Sequence, residues 1–288
     1  MHRKLDFKLY VITGENYHPG RGMLEVMEAA LMGGADIVQL RDKDISKREL
    51  LEKAKRLREL TAKYKVPLII NDHPDVALAV DADGVHLGQE DLPIAVARKM
   101  MGPHRIVGIS THNLEQARAA ENAGADYIGV GPVYPTGTKP GRQAVTTSYV
   151  SQAAAEIRIP WVAIGGITTD NAAEVLKAGA RRLCAVSAIV GNVDPEGACR
   201  RLLEQITGWN ERTRTEIPSE QSYVHVTVNG RPARTQATTL FELAKQYGLE
   251  SRRVVAELNG EVVPRQSWSD TPLHIGSLVE FVHFVGGG

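Results

Sequence analysis

Only two cysteines, Cys184 and Cys199, occur in 288 residues. That excludes a disulfide framework, and their spacing fits no metal-ligand pattern. Both read as buried thiols in a reducing compartment. Net charge is absent as well: 34 Lys and Arg balance 34 Asp and Glu. No global field therefore draws the chain to nucleic acid or to an anionic membrane. No apolar run approaches the ~18 residues that span a bilayer. The polar start, Met1 to Lys8, leads into a strand rather than into the apolar segment of a signal peptide. The expectation is a cytoplasmic protein with no nucleic-acid and no membrane partner. Missing too is a Gly-x-Gly-x-x-Gly after the first strand, which counts against a dinucleotide-binding doubly wound sheet.

What is present is a repeat of strand and helix. Short β-rich runs stand at Leu9–Thr13, Ile37–Leu40, Leu68–Asn71, Gly84–Leu87, Ile106–Ser110, Tyr127–Val130, Trp161–Ile164 and Leu183–Ser187. Amphipathic stretches such as Lys47–Tyr64, Leu114–Ala123 and Asn171–Ala178 lie between them, with Gly124 and Gly179 as helix stops. Gly-Ala-Asp at 34–36 and 124–126, and Gly-Ala-Arg at 179–181, each precede a strand. Eight such units in about 210 residues predict a (β/α)8 TIM barrel over residues 1–209. Residues 210–222, polar and carrying Pro218, read as a linker. Residues 223–288 predict a small α+β domain. Its cues are a strand at Tyr223–Val228, Asn-Gly turns at 229–230 and 259–260, a Thr239-capped helix over Leu240–Tyr247, and strands at Val254–Leu258 and Leu278–Val285.

In such a barrel the site forms at the C-terminal ends of the strands. Alternation puts Gln39, Arg41 and Lys43 on one face of the second strand, spread over about 13 Å; a solvated strand end is the alternative. Asp72 and Asp91 follow neighbouring strands, so both can face one hard cation such as Mg2+ together with a substrate phosphate. Alternatively each caps a helix, before Pro74–Val80 and Pro93–Met101 respectively. His73 and His86 read as structural or hydrogen-bonding residues rather than metal ligands. Gly165-Gly166 and Ser187 suit a phosphate at the strand-seven and strand-eight corner. The loop Thr136-Gly137-Thr138-Lys139, held between Pro135 and Pro140, can close over an anion. Two anion sites, one with a metal, fit two phosphorylated substrates of which one loses pyrophosphate.

Taken as a set, Gln39-Leu40-Arg41-Asp42-Lys43, Asn71-Asp72, His86-Leu87-Gly88-Gln89-Glu90-Asp91, Gly131–Lys139 and Ala163-Ile164-Gly165-Gly166-Ile167 resemble thiamine phosphate synthase, over about residues 8–207. Leu258–Arg265 and Phe284-Val285-Gly286-Gly287-Gly288 resemble the ubiquitin-like β-grasp sulfur carrier of thiamine biosynthesis. The resemblance implies that the barrel joins hydroxymethylpyrimidine pyrophosphate to a thiazole phosphate. It implies that Gln39, Arg41 and Lys43 hold the pyrimidine pyrophosphate with Asn71 and Ser110, and that Asp72 and Asp91 bind Mg2+. Thr136 and Thr138 then contact the thiazole phosphate side, Lys139 the pyrophosphate, and Gly166, Val186 and Ser187 the thiazole phosphate. The Gly288 carboxylate is expected to become a thiocarboxylate, with a separate adenylating enzyme and a thiazole synthase as partners. A homo-oligomer is compatible with this reading. Two rival readings fit the same fold: a thiazole tautomerase barrel using His112 as base, and a catalytically silent barrel that scaffolds the carrier.

Overall fold

The computed structural model describes residues 5–136, 144–216, 224–249 and 254–283. Eight parallel strands close into a barrel in chain order: β1 (Leu9–Ile12), β2 (Ile37–Leu40), β3 (Leu68–Asn71), β4 (Gly84–Leu87), β5 (Ile106–Thr111), β6 (Tyr127–Val130), β7 (Trp161–Ile164) and β8 (Leu183–Ala185), with β8 pairing back onto β1. The helices α1 (Met23–Met32), α2 (Lys47–Tyr64), α3 (Pro74–Ala79), α4 (Ile94–Met101), α5 (Leu114–Asn122), α6 (Thr146–Glu156) and α7 (Ala172–Lys177) alternate with these strands. After β8 come the short α8 (Ser187–Val190) and the long α9 (Pro195–Glu216). The (β/α)8 expectation is borne out. Every strand residue is buried or nearly so, as a parallel sheet covered on its outer face requires.

The register is pinned at the N-terminal rim by aspartates that stand immediately before even-numbered strands. Asp36 accepts hydrogen bonds from the Lys8 and Leu9 N–H groups at 2.8 and 2.9 Å. Asp83 accepts from Leu68 N–H at 3.0 Å, and Asp126 from Val107 N–H at 2.7 Å. Each therefore holds the start of the preceding odd-numbered strand. Arg58 pairs with Asp83 at 2.7 Å, and Arg98 pairs with Asp126. Before β8 the place is taken by Arg182, whose guanidinium lies 5.5 Å from the centre of the Phe7 ring. The Gly-Ala-Asp repeat thus has a physical reason at two of its sites: glycine in the left-handed region ends the helix (Gly34 φ +99°, Gly124 φ +82°) and aspartate clamps the next register.

Beyond shifts of a single residue, two boundaries among the described residues depart from the expectation. β8 ends at Ala185, because Val186 (φ −117°, ψ −89°) turns the chain and Ser187 opens α8. The stretch expected to begin a linker at 210 is helical as far as Glu216. It contains neither glycine nor proline before Pro218, and the Asn210 amide donates to the Arg181 carbonyl at 3.1 Å, holding the helix to the barrel rim. The chain divides into compact units Met1–Asn210 and Glu211–Gly288.

The second unit is a five-stranded sheet ordered β10-β9-β13-β11-β12. Its strands are β9 (Val224–Val228), β10 (Arg231–Thr235), β11 (Val254–Leu258), β12 (Glu261–Val263) and β13 (Leu278–His283), with one helix, α10 (Leu240–Gln246). The parallel β9–β13 pair at the centre, flanked by two hairpins, is the β-grasp arrangement. Both Asn-Gly turns have positive φ at each residue, as type I′ turns demand. The same asparagines accept from β13: Asn229 from Phe281 N–H and Asn259 from Leu278 N–H, both at 2.8 Å. Trp268, Leu240, Leu243 and Phe281 belong to a core of this unit's own.

Candidate active site

The C-terminal strand ends surround a cavity that opens to solvent. Gln39, Arg41, Asn71, Ser110, Thr136, Gly166, Val186 and Ser187 all line it. Lys43, Asp72 and Asp91 form a second group, joined to the first through Asn71. Thr138, Lys139 and Gly288 lie outside the described residues.

β2 ends at Leu40 as expected, so the strand alternation that put Arg41 and Lys43 on one face with Gln39 does not extend to them. Arg41 is still held in register, its N–H donating to Thr13 Oγ1 at 2.9 Å while that hydroxyl donates to the Arg41 carbonyl at 3.2 Å. Beyond it Asp42 turns outward to Lys53 of α2 at 2.6 Å, so Lys43 reaches the site from the loop. Arg41 Nε is buried without a protein hydrogen-bond partner. An orphaned guanidinium donor in a cavity wall fits an anionic ligand.

Neither Asp72 nor Asp91 caps a helix. The N-cap positions of α3 and α4 are His73 and Pro93, and neither helix receives a side-chain cap. Asp72 instead sits in the left-handed region (φ 60°), its N–H donating to the His86 carbonyl. Its carboxylate meets Lys43 Nζ at 2.8 Å. Asp91 accepts from Gly88 N–H at 2.6 Å and shares a hydrogen bond with Asp72. Burial raises the Asp91 pKa, and the contact with Asp72 adds to the rise. Burial also works against ionised Asp72, but Lys43 and the Asp91 hydrogen bond outweigh it and hold its pKa below the ordinary range. Two neighbouring carboxylates beside the orphaned Arg41 donor fit the donor set Mg2+ takes when phosphate oxygens and water complete its shell. Among the described residues no cluster of three or more His, Cys, Asp or Glu forms a self-sufficient metal cage.

A buried chain of hydrogen bonds crosses the barrel beneath these groups. Gln39 Nε2 donates to Tyr10 Oη at 2.8 Å; Tyr10 Oη meets Tyr127 Oη at 2.8 Å. Tyr127 Oη lies 2.8 Å from His86 Nδ1, and His86 Nε2 lies 2.9 Å from Ser110 Oγ. Burial pushes both tyrosine pKa values up, so both stay neutral. Neither tyrosine was expected at the site. The signal that locates them is Gly108, opposite Tyr127 in the β5–β6 register: a Cβ there would lie 2.2 Å from the Tyr127 ring.

At the other side of the cavity Gly165 and Gly166 both have positive φ (103° and 63°). A Cβ on Gly165 would meet Pro132 at 2.4 Å, and one on Gly166 would meet Pro135 and Tyr134 at 2.8 Å. The glycines thus admit the loop after β6, which is laced to β7 through Val133 and Tyr134. Asn171 Nδ2 fixes the turn by donating to the Gly166 carbonyl at 2.8 Å. Val186 and Ser187, opening α8, complete this corner with first-turn N–H groups that have no intrahelical partner.

The chain as a whole is similar to known proteins. The family model described as thiamine monophosphate synthase matches residues 9–189, and that of the ThiS family matches residues 226–288. A thiamine-phosphate synthase of Halalkalibacterium halodurans is 59% identical over 204 residues, covering 69% of this chain and 97% of the relative. One of Chloroflexus aurantiacus is 46% identical over 209 residues, covering 72% and 96%. The solved thiamine phosphate pyrophosphorylase of Pyrococcus furiosus superposes with a TM-score of 0.65 at 42% identity, covering 70% of this chain and 96% of that one. The chain belongs to the thiamine monophosphate synthase family, its barrel being the synthase and its β-grasp unit a member of the ThiS family.

Proposed function

We propose that the barrel joins hydroxymethylpyrimidine diphosphate to thiazole phosphate with Mg2+, through a dissociative step, and that the β-grasp unit carries sulfur on Gly288. The observation that carries the barrel reading is the Asp72–Asp91 pair next to Lys43 and the orphaned Arg41 donor. The C–O bond of the pyrimidine substrate breaks first, giving a methyl cation stabilised by the ring amino group and releasing diphosphate. The thiazole nitrogen then forms the new C–N bond. No side-chain nucleophile is needed. Asp72 and Asp91 would hold Mg2+, which when bound neutralises charge growing on the leaving group. Arg41 and Lys43 would place fixed positive charge at the same point, and the resemblance gives Lys139 the same role. Gln39, Asn71 and Ser110 hold the pyrimidine diphosphate; Thr136 and Thr138 meet the thiazole phosphate side, with Gly166, Val186 and Ser187 around its phosphate. Holding the two rings in register supplies much of the remaining acceleration.

The test supplies both substrates with and without Mg2+ and follows released diphosphate. Release that depends on Mg2+ supports the reading. Thiazole tautomerisation without release would give the site to the tautomerase rival instead. For the second unit, an adenylating partner with ATP and a sulfur donor should change the chain's mass by one sulfur-for-oxygen exchange. Deleting Gly287-Gly288 should remove that change and leave the barrel's rate alone. A thiazole synthase would then take the sulfur.

A further inference from the structure

The buried chain from Gln39 to Ser110 has a direction, and the direction follows from what each group can donate. The Gln39 amide nitrogen has only hydrogens to offer, so Tyr10 Oη accepts. The Tyr10 hydroxyl hydrogen then goes to its other contact, Tyr127 Oη, and the Tyr127 hydrogen goes to His86 Nδ1. A nitrogen that accepts leaves the imidazole proton on Nε2, which donates to Ser110 Oγ. Ser110, accepting from within, keeps its own hydroxyl hydrogen for the cavity it lines. Gln39, having turned its amide nitrogen inward, offers its carbonyl oxygen at the cavity wall.

We infer that Tyr10, Tyr127 and His86 are positioning and specificity-determining residues: a one-way hydrogen-bond chain through them sets Gln39 as acceptor and Ser110 as donor, selecting a pyrimidine that presents an amino group and a ring nitrogen. This rests on the pyrimidine reading above. A carbonyl oxygen in place of the amino group would face the Gln39 carbonyl, and accommodating it requires every hydrogen in the chain to reverse. Burial makes that costly to improvise, since a half-reversed chain leaves a hydroxyl pair with two hydrogens or none between them. Gly108 reserves the space the chain needs, because any side chain there displaces the Tyr127 ring.

Two measurements test it on the full-length chain. In ligand-free protein labelled with 15N-histidine, His86 should show a pyrrole-type Nε2 and a pyridine-type Nδ1. The opposite pattern would overturn the proposal without any variant or substrate being involved. Calorimetry with the amino-pyrimidine diphosphate and its carbonyl analogue then reads specificity as a ratio of affinities, independent of turnover. In Tyr127→Phe and in Tyr10→Phe that ratio should fall about tenfold, the loss expected for one buried hydrogen bond, and His86 should lose its single tautomer. An unchanged ratio in a variant with wild-type melting temperature would overturn it. Failure of diphosphate release defeats the condensation alone, for the ring tautomer remains readable in either case.

Discussion

A carboxylate in the left-handed region performs two tasks that substitution can separate. Asp72 needs a backbone that most side chains resist by about 1–2 kcal/mol, and it needs charge to meet Lys43. Asparagine shares the first property and lacks the second. Asp72→Asn should therefore keep the melting temperature and lose activity, while Asp72→Ala should lose activity and about 1 kcal/mol of stability as well. Equal stability in the two variants, measured by urea unfolding, would show that the backbone is not under strain there. Arg41→Ala should lower kcat by about 100–1,000-fold, the usual effect of removing one fixed donor at developing negative charge. The polar lining of this site was legible beforehand, since Gln39, Arg41, Asn71 and Ser110 betray themselves as polar residues ending apolar strands. Tyr10 and Tyr127 did not, because an aromatic inside a strand reads as core, and only the closed register sets their hydroxyls facing one another.

Elements were read more faithfully than their ends. Periodicity found all eight barrel strands, but nothing local predicts that Val186 breaks β8, since the torsion is imposed by the opening of α8. The aspartate clamps show how a strand start can be fixed without a turn motif. One of them titrates in an accessible range: burial pushes Asp36 from the ordinary 3.8 up to about 6, despite its two backbone donors and nearby Lys8. A raised carboxyl pKa means that the folded chain holds the proton more tightly than the unfolded chain. Its contribution to stability is thus fully present below about pH 3.8 and is lost as pH rises through 6. Asp36→Asn cannot titrate and keeps an oxygen for one of the two N–H groups. From pH 4 to pH 7 the wild-type barrel should therefore lose on the order of 2 kcal/mol relative to this variant in urea unfolding. A constant difference would mean that Asp36 is ionised throughout.

At the scale of the whole chain, each unit owns a separate apolar core, one around the barrel and one around Trp268. The change of texture after Trp209 was visible in the sequence, yet it misplaced the edge of the barrel's last helix. Polar, charge-alternating residues such as Glu211, Arg212 and Thr213 suit an exposed helix as well as a linker, and only the docking of Asn210 onto Arg181 decides between them. The difference is testable by truncation. A chain ending at Glu216 retains all of α9, so its condensation rate should lie within about twofold of the full chain's, as expected when no contact to the reacting groups is removed. A chain ending at Trp209 loses the Asn210 hydrogen bond and the last turns of the helix, and should unfold about 1 kcal/mol more easily. Equal stability of the two truncations would return residues 210–216 to the linker. A large loss of rate in the longer one would show that the β-grasp unit contributes to the barrel's chemistry, which two self-contained cores do not require.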